Sequence, residues 1–376
     1  MKIVFSTDQI YLHGGIEKVL SEKVNYLSNL SGYDIYILTT EQKGNLPCYS
    51  VNSNVKCIDL GVNYNRELSY FHPKNIIKAF YHLKKQRTIL STIRPSLIIS
   101  SNYAPDFYWL PFIFTSIPKW KEYHASRFYE VYNFNKTNSI LFKVKFKIEN
   151  WIASKYNKIV VLTHDEQKLH SQKNSIVIPN PIICYRESKV KLQKKQVIAA
   201  GRIAPVKGFG KLILAWSKVY ERYPDWELHI YGESYQDTKQ HLMQMIEEKN
   251  LQNIVHFKGT IKKMTETMLD YSIFVMSSKT ECFPMVLLES LSVGLPIVSF
   301  NCETGPRNII THEKEGLLVE DQNIDALADA LITLMSNPVK LSEMSENAKK
   351  KSYTFDLESI MDVWVKEINK EVKKNE

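Results

Sequence analysis

The chain has 376 residues, 44% of them hydrophobic and 24% charged, with a formal net charge of +9. That length exceeds one ordinary core and suits two domains of roughly 150–200 residues each. No apolar run approaches the ~20 residues of a transmembrane helix, and Met1-Lys2-Ile3-Val4-Phe5 opens straight into a strand with no signal-peptide pattern. The five cysteines (Cys48, Cys57, Cys184, Cys282, Cys302) contain no CxxC pair, which points to a reduced, cytosolic compartment.

Charge is unevenly placed. Residues 1–185 carry 23 Lys+Arg against 13 Asp+Glu, a surplus of ten, whereas residues 186–376 carry 26 against 27. Such a basic half suits an anionic membrane surface or nucleic acid, and equally a generally solvated face. No helix-turn-helix, zinc or RNP pattern accompanies it, so the membrane reading is preferred over nucleic acid.

In chain order, the first half alternates strand-like and helix-like segments. Lys2–Ser6 reads as a strand, Gly15–Asn29 as a helix and Asp34–Thr39 as a strand. Pro73–Arg94 carries Ile76, Phe80, Leu83 and Leu90 at helical spacing and precedes the strand Leu97–Ser100. In the stretch 142–156, alternation of Phe142, Val144, Phe146 and Ile148 with Lys143, Lys145 and Lys147 suggests a strand. Trp151, Ile152 and Tyr156 suit a helix instead. Ile159–Leu162 is a strand, Thr163-His164-Asp165-Glu166 a capping box, and Ser175–Ile178 a strand before Pro179-Asn180-Pro181. Lys189–Lys195 reads as a linker.

The second half repeats this logic with strand Gln196–Ala200, helix Phe209–Tyr223, strand Glu227–Tyr231, helix Asp237–Lys249 and strand Val255–Lys258. Ser272–Met276 and Pro296–Phe300 are further strands, and Phe355–Val372 is an amphipathic helix with Ile360, Val363, Trp364 and Ile368. The pattern predicts an α/β protein of two doubly wound, Rossmann-like domains. Expected bounds are an N-terminal domain over 1–187, a second over 188–352, and a C-terminal helical segment over 353–376.

Three turns carry candidate chemistry. Gly201-Arg202-Ile203-Ala204-Pro205-Val206-Lys207-Gly208 links a strand to a helix; it lacks the Walker A ending, but its two cations suit a diphosphate. Glu281 and Glu289, with seven residues between them in Ser277–Pro296, lie between two strands at the carboxyl edge of the expected parallel sheet. On one continuous helix they would be rotated by about 80° and ~12 Å apart. Pro284 in the first helical turn instead puts Glu281 in the loop and Glu289 in the helix. His13-Gly14-Gly15-Ile16-Glu17 follows the first strand, where glycines let backbone amides approach a phosphate. No GxGxxG is found in that turn, which counts against a nicotinamide enzyme, and the chain has no DxD pair to bridge a metal and a diphosphate. The histidines and cysteines show no zinc-like ligand spacing.

The block from Ser277 to Phe300, continued in Cys302-Glu303-Thr304-Gly305-Pro306-Arg307 and Gly316-Leu317-Leu318-Val319, resembles the retaining glycosyltransferases of GT-B family 4. The branch it looks most like builds bacterial capsules and exopolysaccharides. One residue departs: many members carry glycine after the first glutamate, where this chain has Cys282. The resemblance implies a GT-B fold, two domains facing across a cleft with the last helix crossing back to the first. It implies a nucleotide-sugar donor, UDP above all, in the second domain, a glycan or polyprenyl-linked acceptor on the first, and no metal. It gives Arg202 and Lys207 to the departing diphosphate, Met285 and Val286 amides to the same charge, Glu281 to sugar hydroxyls and Glu289 to ribose. It places Thr260 beneath the nucleobase, His124 near the donor sugar, and Gly14 and Gly15 over the donor phosphate. The implied enzyme is a hexosyltransferase at the inner face of the cell membrane. Alternatives are a GT-B epimerase or inverting transferase, or a non-catalytic nucleotide-sugar binder.

Overall fold

The structure is a computed structural model describing all residues except 102–104, 171, 186, 188 and 376, and the side chain of residue 375. The chain forms two compact units, Met1–Pro181 with Glu358–Glu376, and Ile182–Leu357. Ser188, the start of the expected second domain, and Glu376 lie outside the described residues.

The first unit is a seven-stranded sheet of β1 (Lys2–Thr7), β2 (Asp34–Thr39), β3 (Lys56–Asp59), β4 (Leu97–Ser100), β5 (Lys119–Glu122), β6 (Lys158–Val161) and β7 (Ser175–Val177). The strand order is β3-β2-β1-β4-β5-β6-β7. All neighbours are parallel. The second unit holds β8 (Gln196–Ala200), β9 (Glu227–Tyr231), β10 (Val255–Gly259), β11 (Ile273–Met276), β12 (Ile297–Phe300) and β13 (Gly316–Val319). Its order is β10-β9-β8-β11-β12-β13, again all parallel. Both are doubly wound α/β sheets, and each reverses its winding at one pair of strands, β1/β4 and β8/β11. Loops leaving the carboxyl ends of such a pair diverge and open a crevice, the usual ligand position in this topology.

β5 is hard to see in the sequence because three of its four residues, Lys119, Lys121 and Glu122, are charged yet buried. Each has a polar neighbour, as buried charges require. Lys119 Nζ donates to the Phe114 carbonyl at 2.5 Å, and Lys121 Nζ to Ser100 Oγ at 3.5 Å. Burial pushes both ammonium groups down to about 8. Glu122 is bound by Lys23 Nζ at 2.5 Å and by the Ser101 hydroxyl at 3.1 Å. Burial alone would raise its carboxyl, but Lys23 and His124 pull it far below the usual carboxylate range.

The stretch 142–156 resolves as a helix, Ile140–Ala153, capped by Ser139 Oγ, which accepts from the Phe142 amide. The final helix, Leu357–Asn375, packs within the first unit. There Trp364 lies against Trp120 with ring centroids 5.9 Å apart, and Lys23 Nζ sits 4.4 Å from the Trp364 ring. Among the described residues no helix is long and apolar enough to cross a membrane.

Replacing Lys23 with Met leaves Glu122 buried without its cation, so urea unfolding should report a loss of about 3–5 kcal/mol. Because the Glu122 carboxyl is lowered in the folded state, the stability it contributes is complete above about pH 4.3 and is lost as pH falls toward the lowered value. K23M should flatten that acid limb of the stability curve. An unchanged limb would assign it to other carboxylates.

Candidate active site

The β8/β11 switch point holds both principal motifs. After β8 the chain turns through Gly201 (φ 151°) and a short 3₁₀ turn, Pro205–Lys207, into the helix Phe209–Arg222. Gly208 caps that helix at φ 66°, and a Cβ there would stand 2.0 Å from the Ser277 carbonyl oxygen. Only glycine permits this approach, and it draws the turn after β8 onto the turn after β11. Two hydrogen bonds fasten the contact. Ser277 Oγ donates to the Lys207 carbonyl at 2.9 Å, and the Lys279 amide donates to Val206 O at 2.8 Å.

The side chains meet accordingly. Lys207 Nζ lies 2.6 Å from Glu281 Oε1, and Ser278 Oγ donates to the same oxygen at 2.6 Å. The Lys207 stem runs over Gly201, where an added Cβ would be 3.2 Å from Lys207 Cε. Beneath Glu281, Thr304 Oγ1 donates to the Glu281 carbonyl at 2.7 Å. Gly305 is pressed so close that its own Cβ would lie 2.7 Å from that of Glu281. Ser278, Thr304 and Gly305 lie within the sequence motif, but their spacing in the chain carries no sign of these contacts.

Pro284 is the N-cap of the helix Met285–Val293 rather than a residue of its first turn, with extended backbone at φ −68°, ψ 117°. The consequence expected for the glutamates holds all the same. Glu281 sits in the loop, and Glu289 is buried in the helix at 5% exposure. Met285 and Val286 are the first helical residues, where amides face out of the helix end. Cys282 is buried; burial, with Glu281 and Asp321 nearby, pushes the Cys302 thiol up to about 12. Arg202 is exposed, its guanidinium 4.9 Å from the Tyr235 ring centre. Thr260, also exposed, follows β10 at the same sheet edge. There the Gly232 amide donates to Gly259 O, and the Gly201 amide to Tyr231 O.

In the first unit Gly14 caps the helix Gly15–Ser28. Glu17 folds back over it, so closely that a Cβ on Gly14 would be 2.2 Å from Glu17 Oε2. Burial pushes the Glu17 carboxyl up, against opposing pulls that include its bond from Gln9 and the charge of His124. His124, just past β5, places Nε2 3.3 Å from Glu122 Oε1 and keeps its side chain 4% exposed. The loop after β1 and His124 are thus neighbours, which their separation in the chain conceals. Glu17 was legible in one respect, as an acid three residues after a glycine cap. Beside these groups, Phe107, Tyr108, Lys121, Tyr123, Arg127, Glu130 and Glu149 line a cavity of about 100 Å³.

With this geometry in hand, comparison with known proteins is informative. Residues 185–351 match the family described as glycosyl transferases group 1. An uncharacterized glycosyltransferase of Haemophilus influenzae is 28% identical over 369 residues, 96% of this chain and 98% of that protein. The poly(ribitol-phosphate) alpha-N-acetylglucosaminyltransferase of Staphylococcus aureus is 29% identical over 63% of this chain and 48% of its own length. A TarM variant from S. aureus, solved with fondaparinux, alpha-GlcNAc-glycerol and UDP, superposes with a TM-score of 0.77 at 17% identity, covering 98% and 99% of the two chains. Fold and sequence together define a glycosyltransferase of GT-B architecture.

Gly208→Ala should move the 201–208 turn off Ser277, lower stability by about 1–3 kcal/mol and sharply reduce turnover. Gly210→Ala is the control. Its Cβ would meet Met245 Sδ at an ordinary 3.6 Å inside the helix, so stability should hold or rise by up to ~1 kcal/mol with activity intact. Equal behaviour of the two variants would separate the glycine contact from the site.

Proposed function

We propose that the protein is a retaining, metal-independent transferase moving a hexose or N-acetylhexosamine from a UDP sugar to a glycan or lipid-linked acceptor in bacterial surface polysaccharide synthesis. The observation that carries this reading is the 2.6 Å Lys207–Glu281 contact on the turn that also bears Arg202, at the switch point of the second sheet. The poly(ribitol-phosphate) transferase among its relatives and the UDP bound by TarM support the donor and the pathway class.

In this reading the donor diphosphate meets Arg202 and Lys207, with the Met285 and Val286 amides adding the positive end of a helix. Negative charge grows on the diphosphate as the glycosidic bond breaks, so cations fixed beforehand lower the barrier most. The leaving phosphate oxygen takes the acceptor proton on the same face, which retains the anomeric configuration. Glu281 accepts from sugar hydroxyls, Glu289 from ribose, and the Thr260 segment meets the base. Gly14, Gly15 and His124 keep the roles the resemblance gives them, and the cavity beside His124 suits the acceptor side. One arrangement favours the inverting alternative, since His124 with Glu122 forms an imidazole–carboxylate pair of the kind that serves as a base.

Arg202→Ala and Lys207→Ala should each lower kcat by roughly 10²-fold or more while leaving uridine binding largely intact. Wild-type turnover in both would remove this turn from the mechanism. NMR of the product should show the donor's anomeric configuration kept, in buffer with EDTA, at temperatures below unfolding. An inverted product selects the His124 base instead, and loss of turnover restored by Mg²⁺ or Mn²⁺ overturns metal independence.

The acceptor surface is proposed to rest on anionic lipid. The helix Ile140–Ala153 exposes Ile140, Leu141, Val144, Ile148 and Trp151, with Ile140 at 75% and Leu141 at 84%. At 100° per residue these fall on one face. Phe142 and Phe146 are half-buried, Phe146 stacking on Phe134 at 4.6 Å, so they serve the fold rather than the surface. Lys143, Lys145, Lys147 and Lys155 surround the apolar stripe, and each cation near an anionic surface contributes about 1 kcal/mol. Co-sedimentation should require anionic vesicles, fall with salt, and weaken when Lys143, Lys145 and Lys147 become Glu. Equal recovery on neutral vesicles, or none on either, leaves a soluble acceptor.

A further inference from the structure

At the other end of the second sheet from the 201–208 turn, β9 and β10 assemble a group that sequence spacing gave no reason to join. Glu227 and His229 alternate onto one face of β9, and the parallel register sets His256 of β10 directly beside His229. One ligand atom from each of the three lies within 4.8 Å of the others. His229 is buried at 5% exposure, while Glu227 and His256 are half-buried and reachable from solvent.

We infer that Glu227, His229 and His256 bind a divalent transition-metal ion of the zinc class, with water completing the coordination. Two imidazoles and one carboxylate are a donor set that suits zinc, and ligand atoms around a tetrahedral zinc stand roughly 3.3 Å apart at bond lengths near 2.0–2.1 Å. Here His229 Nε2 and Glu227 Oε2 are 2.9 Å apart, the His256 nitrogen lies within 4.8 Å of both, and binding would draw the half-buried His256 ring inward. His229 is held from behind. Its Nδ1 meets the Tyr271 hydroxyl at 2.7 Å, and Tyr271 in turn meets the Tyr231 hydroxyl at 3.0 Å. With Nδ1 as donor to Tyr271, Nε2 presents its lone pair toward the Glu227 carboxylate, a pairing that a cation between them stabilises. Glu227 also accepts from Gln196 Nε2 at 3.1 Å, which orients the carboxylate. The site lies away from Arg202, Lys207 and Glu281, and its metal would brace the edge strand β10 rather than enter the reaction.

The test is Zn²⁺ titration of the full chain against a chromophoric chelator, with Co²⁺ as a spectroscopic probe and circular dichroism to confirm folding of each variant. One equivalent should bind, raise Tm, and give the visible Co²⁺ spectrum of a four-coordinate site. His256→Ala, at a half-buried position that tolerates truncation, should abolish all three effects, as should His229→Ala. Tyr271→Phe should keep the fold and weaken the ion by about 10–100-fold. Zn²⁺ binding that persists unchanged in both histidine variants, or no binding in the wild type, overturns the inference and leaves Glu227–His229–Tyr271 as a structural hydrogen-bond chain. Neither result bears on transferase activity, so this inference and the proposed reaction stand or fall separately.

Discussion

The close approach of Gly208 to the Ser277 carbonyl is the constraint on which the geometry of the second unit's candidate site rests. Parallel strands β8 and β11 are neighbours, but neighbouring strands alone leave their outgoing loops free to diverge. Removing one Cβ lets the two loops touch through backbone, and the bonds from Ser277 Oγ and the Lys279 amide then fix their register. Lys207 and Glu281, 74 positions apart in the chain, become partners only as a result. Gly305 and Thr304 close the floor from β12's side. An arrangement set by main-chain contacts of this kind is rigid without demanding large side chains, which is what the proposed reaction requires of it.

In the first unit the corresponding burden is electrostatic. The centre of its sheet includes a strand of charged residues, and a buried charge survives only with a partner. Glu122 satisfies Lys23, Ser101 and His124 together, so the imidazole at the sheet's carboxyl edge is oriented by the interaction that makes β5 tolerable in the core. Glu17 extends this coupling to the first glycine turn. Stability and site geometry are therefore not separable at Glu122, whereas on the exposed helix face of 140–151 they are.

What the sequence disclosed follows from where the determining contacts lie. The apolar strands β1, β2, β4, β8, β9, β11 and β12 and the helices opening at Gly15, Pro73 and Phe209 are written in local pattern, and so are the turns bearing Arg202, Lys207 and Glu281. β5 is only faintly visible because its lysines and glutamate mimic a surface segment; the cation that lets Glu122 be buried, Lys23, is 99 residues away from it. The segment around Phe142–Ile148 carries both periods at once, and Phe134 and Arg127 decide for the helix by covering Phe146. Pro284 was read one position too far into its helix, since a cap and a first-turn proline have the same local signature. The Glu227–His229–His256 group was illegible for a simpler reason, that inter-strand register is not a spacing.

Lys207 already has an anionic partner, which bears on how a diphosphate could use it. Two unit charges near a protein surface attract by about 4 kcal/mol at 4 Å, so a cation held at 2.6 Å by Glu281 is not idle. Its position is set by that carboxylate before any donor arrives, which removes the entropy of ordering a four-carbon stem at the moment of binding. A diphosphate carries more negative charge than one carboxylate and gains further as the sugar departs, so in the proposed reaction Lys207 turns increasingly toward it along the reaction coordinate. Glu281 is not stranded by the exchange, because the Ser278 hydroxyl remains at 2.6 Å and the sugar's own hydroxyls can replace the ammonium. Arg202, exposed and resting on Tyr235, has no such tether among its described contacts and suits first capture of the anion. In the proposed reaction the two cations of one turn thus divide their work by burial: Arg202 gathers charge from solvent, and Lys207, positioned by Glu281, meets it where it grows.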